Sequence, residues 1–147
     1  MELEGKISKD GRFWLVEVPS LDVMTQGKTR KDALMMIKDA ILELIQSYFP
    51  ETLLDDFELI VNDYKNDVFG VTTNNNKILL SLSLIRQRSK SGSTIRDASK
   101  RLGSDSPNAY AVYEKGKTNI SLDKYEKLLQ AANPHQHSLL RLVQELR

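Results

Sequence analysis

The stretch Phe13-Trp14-Leu15-Val16-Glu17-Val18-Pro19 constrains this chain more than any other. Aromatic and β-branched residues follow one another without a helix former, so the run reads as a β-strand. It is apolar at both odd and even positions, which predicts a central strand covered on both sides. Pro19 ends it, because proline has no N–H to give to a ladder. Leu3 to Ile7 supplies a hairpin partner across the turn Lys9-Asp10-Gly11.

A polar loop is expected from Ser20 to Lys28. Thr29 then caps a helix, with Asp32 three residues on in the manner of a capping box. Leu34, Ile37, Ala40, Ile41, Leu44, Ile45 and Tyr48 recur at helical spacing, and Pro50 stops the helix near Phe49. Two more β runs, Phe57 to Asn62 and Val68 to Thr72, complete a β-β-α-β-β order. Asn74-Asn75-Asn76 reads as a turn or a linker, and the domain boundary is expected there. The expected fold class is therefore α+β, with one helix packed on an antiparallel sheet in residues 1–76, followed by an all-α bundle in 77–147.

Charge divides the chain at the same place. Residues 1–76 hold 8 Lys/Arg against 14 Asp/Glu, a net of −6, and residues 77–147 hold 13 against 6, a net of +7. Opposite signs on two halves predict two partners of different character, with nucleic acid the natural target of the basic one. Cysteine is absent, which excludes disulfides and thiolate metal sites. No apolar run approaches the length of a membrane span and the N-terminus is acidic, so neither a transmembrane helix nor a signal peptide is expected, and an intracellular, soluble protein is the default expectation. His135 and His137, at i, i+2, do not share a helix face, and no metal or other cofactor is expected. Clustered carboxylates of the kind that hold catalytic metals are also missing: the aromatic strand offers Glu17 alone, and Asp55 and Asp56 fall outside a strand core. The chain is not expected to be an enzyme.

In the basic half, Lys77 to Leu80 reads as a short strand or linker, and a first helix is expected from Leu82 to Lys90. Ser93 or Thr94 caps a second, ended by Gly103; a third starts at Ser106-Pro107 and runs to Lys115; Ser121 caps a fourth. His135 to Arg147 carries an apolar stripe at Leu139, Leu142, Val143 and Leu146, which predicts a C-terminal helix that packs on the chain or pairs in a dimer.

Two resemblances give these patterns a function. Asp10 to Pro19, then Thr25-Gln26-Gly27-Lys28-Thr29, Asp32-Ala33-Leu34 and Asp39-Ala40-Ile41 resemble the HicB antitoxin family, whose hallmark is an aromatic strand ending in Val-Pro, a Thr-Gln-Gly loop and a helix opening on acidic-Ala-Leu. The resemblance implies a partial ribonuclease-H-like module without catalytic machinery that caps a small basic mRNA-cleaving toxin of the HicA type. Trp14, Glu17 and Asp22 are the expected toxin-binding residues, because the match is densest around them. Thr94 to Gly103, Tyr113-Glu114-Lys115-Gly116-Lys117-Thr118-Asn119 and Ser121 to Ala132 resemble Cro/repressor helix-turn-helix domains. Operator DNA is the partner that this implies.

A recognition helix exposes small or polar side chains at its N-terminal end. Ser106, Asn108 and Ala109 fill that place, and Asn108 is the foremost base reader because asparagine pairs bidentately with adenine. Thr94, Arg96, Lys115, Lys117 and Asn119 are expected on phosphates. Two-fold operators call for two-fold proteins, so a homodimer or higher homo-oligomer is expected. Together these readings describe an antitoxin that neutralises a toxin and represses its own operon. The alternative is a stand-alone helix-turn-helix regulator whose N-terminal module only dimerises or senses another partner.

Overall fold

The structure is a computed structural model that describes residues 1–54 and 56–145. Asp55 lies outside the described residues, as does Leu146 with its place in the tail stripe. The chain divides into two compact units, one built on Met1–Asn75 and one on Asn76–Arg141.

The first unit is a five-stranded antiparallel sheet with one long helix. Its strands are β1 (Leu3–Asp10), β2 (Phe13–Val18), β3 (Val23–Gly27), β4 (Leu59–Asp63) and β5 (Val68–Thr73), in the spatial order β3-β2-β1-β5-β4. The helix α1 (Arg30–Tyr48) lies between β3 and β4 in sequence. Thr29 caps it by accepting a hydrogen bond from the Asp32 N–H at 3.0 Å. Ala33, Ile37, Ile41 and Ile45, four residues apart, are fully buried along one stripe. They share a core with Leu3, Ile7, Val16, Val18, Phe69 and Val71. Each such aliphatic side chain contributes about 1.5–3 kcal/mol by leaving water.

One close approach explains a glycine. Gly5 pairs with Phe69 across β1 and β5, and a Cβ at Gly5 would sit 2.1 Å from the buried ring. The ring occupies the space that a side chain would take.

The expected fold class needs correction on two counts. The order is β-β-β-α-β-β, because Val23–Gly27, expected as loop, pairs with β2 as an edge strand. Val23 and Thr25 are the β-branched residues that could have signalled it; Asp22, left-handed at φ 49°, turns the chain into it after a 3-10 turn at Pro19–Leu21. Nor do the helices make the separate all-α bundle expected of 77–147. Helix α2 (Asn76–Ser91) begins where a strand or linker was expected and is buried on every face from Ile78 to Ile85, unlike an outer helix with a single apolar stripe. The C-terminal helix is absent among the described residues: no regular structure follows Asn133, Leu139 and Leu142 are exposed, and 142–145 group with the first unit. β2 is interior to the sheet, yet only the face of Val16 and Val18 is deeply buried, while Phe13 on the other face stays 41% exposed.

The second unit continues from α2 through α3 (Ile95–Arg101), α4 (Asn108–Ala111), a 3-10 turn at Val112–Glu114 and α5 (Leu122–Ala132). Leu80, Leu84, Ala98, Tyr110, Tyr125, Leu128 and Leu129 form its core.

Candidate functional site

The residues expected to meet DNA lie on α3, α4 and the segment after them. Thr94 opens α3 with a reciprocal capping box: its Oγ1 accepts from the Asp97 N–H at 3.0 Å, and its own N–H donates to Asp97 Oδ2 at 2.9 Å. The Thr94 backbone N–H, and after it the Thr94 side chain, hold the Asp97 carboxyl below its ordinary range. Thr94 is thus already engaged as a cap. Arg96, two residues on, is exposed.

Ser99 joins α3 to α4. It is buried; its hydroxyl donates to the Pro107 carbonyl at 2.9 Å and accepts from the Tyr110 N–H at 3.2 Å. Pro107 then precedes α4, leaving Ser106 and Asn108 exposed and Ala109 half-buried. The expected long third helix is a four-residue α-helix that tightens into the 3-10 turn. Tyr110 is fully buried; desolvation pushes its phenol well above the ordinary range, and its O–H donates to the Leu84 carbonyl at 3.4 Å.

Two further links hold the Glu-Lys-Gly-Lys segment. Arg88 on α2 donates to both carboxylate oxygens of Glu114, from Nε at 2.7 Å and Nη2 at 2.9 Å. Ser81 on α2 donates to the Tyr113 carbonyl at 2.7 Å and accepts from the Gly116 N–H at 3.0 Å. Lys115, Lys117 and Asn119 are therefore carried on an anchored backbone with their side chains exposed. Sequence reasoning missed Ser81, Arg88 and Ser99 as positioning residues. Glu114 stood within the helix-turn-helix resemblance, but nothing in the sequence pointed to Arg88 as its partner.

The three residues expected to bind a toxin do not share one surface. Trp14 and Glu17, three apart on β2, point to opposite faces of the sheet because side chains alternate along a strand. Trp14 is half-buried on the helix side, with the Arg30 guanidinium 5.8 Å above its ring. Asp22 sits at the left-handed turn before β3. Elsewhere on this unit, α1 and β3 bound a groove lined by Phe13, Gly27, Asp32, Met35, Met36 and Asp39. Nothing in the sequence pattern marks it, since Met35 and Met36 stand at the edge of the apolar stripe of α1.

Among the described residues, no three His, Asp or Glu side chains gather as a metal site, and no helix is long and apolar enough to cross a membrane. Compared with known families and curated proteins, the chain matches no family model and no curated sequence.

Proposed function

We propose that this chain is the antitoxin of a type II toxin–antitoxin pair, acting as a homodimer in the bacterial cytoplasm. The Asn76–Arg141 unit binds operator DNA and represses the operon; the sheet unit neutralises a HicA-like mRNA-cleaving toxin by direct binding. The observation that carries the DNA half is the anchored segment after α3. Lys115 and Lys117 are exposed on that segment and Arg96 on α3 itself, and the three hold no ion pair with a described residue, in a half of the chain whose net charge is +7. Cations left unpaired by their own protein are available to phosphates. The toxin half rests on the HicB resemblance of residues 10–41, with the −6 charge of residues 1–76 suited to a basic partner.

One titration tests both halves. Purified protein is added to DNA from upstream of its own gene, with and without the product of the adjacent small reading frame. Specific binding that the partner alters, together with rescue of growth when the two are co-expressed, is the expected result. Operator binding that no neighbouring product alters would instead mark a stand-alone regulator.

A further inference from the structure

We infer that the groove between α1 and β3 docks a basic amphipathic segment of a partner protein, its apolar residue entering against Met35, Met36 and Phe13 and its cations facing Asp32 and Asp39. The inference rests on the reading that the sheet unit grips a protein partner, and it gives that grip a place and a chemistry.

Three large apolar side chains are exposed at this one place: Met35 at 56%, Met36 at 46% and Phe13 at 41%. A contiguous apolar patch on an otherwise charged surface marks an interaction site. Methionine suits such a site, since its unbranched, polarisable chain adapts to whatever enters. Charge decides the kind of occupant. Two carboxylates line the groove against the single cation Lys28, on a half of the chain with net charge −6. A second copy would bring its own Asp32 and Asp39 against these, placing like charges together. A segment bearing Lys or Arg does the opposite. Asp32 and Asp39 are two helical turns apart on α1, about 10 Å along its axis, so the matching cations flank the apolar anchor at a similar spacing.

None of the side chains involved belongs to the core of the unit. Met35→Gln/Met36→Gln removes the apolar floor while keeping helix formers in place. Asp39→Lys reverses one rim charge, and Glu51→Lys makes the same change of charge at an exposed position away from the groove. The probe is the purified product of the adjacent small reading frame, titrated against the full-length chain by calorimetry at low and moderate salt. The expected result is tight binding by the unaltered chain and a loss of about tenfold or more for both groove variants. The Asp39→Lys loss should shrink as salt rises, and Glu51→Lys should bind like the unaltered chain. Groove variants that bind as tightly as the unaltered chain overturn the groove alone and leave the antitoxin reading standing. If the unaltered chain itself fails to bind, the antitoxin reading falls and the inference falls with it.

Discussion

Arg88 and Glu114 meet through two parallel hydrogen bonds, Nε to Oε2 at 2.7 Å and Nη2 to Oε1 at 2.9 Å, with 22% and 10% of their side chains exposed. This bidentate geometry is the strongest form of an Arg–carboxylate contact. Glu114 is the first cause of the raised Arg88 pKa, outweighing the lowering effect of burial. Glu114→Ala should cost about 2–3 kcal/mol in denaturant unfolding, because it strands a mostly buried guanidinium. Pairing Arg88→Met with Glu114→Leu should recover much of that loss, since an apolar pair has no desolvation penalty. A double variant no more stable than Glu114→Ala would show that the pair carries net stability rather than mere mutual compensation.

Ser99 has one hydroxyl and two backbone partners, the Pro107 carbonyl and the Tyr110 N–H. Ser99→Ala keeps the volume close but removes both bonds, leaving the buried Tyr110 N–H only its longer contact with the Pro107 carbonyl at 3.3 Å. The expected cost is about 1–3 kcal/mol. Ser99→Thr is a sharper probe: it keeps the hydroxyl and adds a methyl in a buried position, so its defect would be one of packing. If Ser99→Ala unfolds at the same denaturant concentration as the unaltered chain, the hydroxyl is not what joins α3 to α4.

Gly5 faces the Phe69 ring, and the missing Cβ is the reason the ring fits. Gly5→Ala should destabilise by about 1–3 kcal/mol through overpacking, although alanine ordinarily restricts the unfolded chain and stabilises a strand. Combining Gly5→Ala with Phe69→Leu should restore part of the loss, a coupling that a double-mutant cycle measures directly.

What the sequence disclosed followed from local rules. Thr29 before Arg30 and Thr94 before Ile95 announced helix starts, and structure and pattern agree there because a cap is a contact within four residues. The stripe of α1 was legible through its period. Val23–Gly27 was not, since an edge strand of mixed polarity has no alternation strong enough to outweigh Asp22 and Gly27 as turn residues. The start of α2 was hidden by Asn74-Asn75-Asn76, and its burial on every face left no amphipathic period to find. The tail erred the other way. Leu139 and Leu142 have helical spacing, but a helix needs a surface to bury its stripe on, and both remain exposed. At the candidate site, the exposed Asn108, Lys115 and Lys117 could be named from sequence. Their supports, Ser81, Arg88 and Ser99, could not, because each acts on a segment distant in the chain.

Asp63 offers a test by pH. Arg30 donates to it from Nη2 at 2.7 Å and from Nε, and the Lys65 N–H adds a bond at 2.8 Å. The Arg30 hydrogen bonds, the largest effect, hold its carboxyl below the ordinary range against the raising effect of burial, and the Lys65 N–H adds to the lowering. A carboxyl depressed in the folded state stabilises above its unfolded pKa of about 3.9, and that stability disappears as pH falls through the folded value. The pair is partly exposed, so its contribution is about 0.5 kcal/mol. Asp63→Asn should be less stable by that amount at pH 7 and should converge with the unaltered chain as pH falls through the lowered folded value. A gap that persists in acid would trace to the turn at Lys65 rather than to charge.

On the proposed reading, Asn108 and Lys117 should fail in different ways. Asn108 stands exposed at the first position of α4, where a side chain can reach a base edge. Replacing it with alanine should cost about 1–3 kcal/mol on the preferred operator. The loss should fall on one base position only, so operators altered at that position would bind the variant and the unaltered chain alike. Lys117 is an exposed cation on the segment fixed by Ser81. Lys117→Ala should weaken every sequence about equally and lower the slope of log affinity against log salt by about one. Neither substitution touches the core, so folding is preserved and binding isotherms on DNA from upstream of the gene read the effect directly. If both variants bind with the original affinity, sequence preference and salt slope, the recognition surface lies elsewhere on the chain. If Lys117→Ala alone has an effect, α4 meets the backbone of DNA without reading its bases.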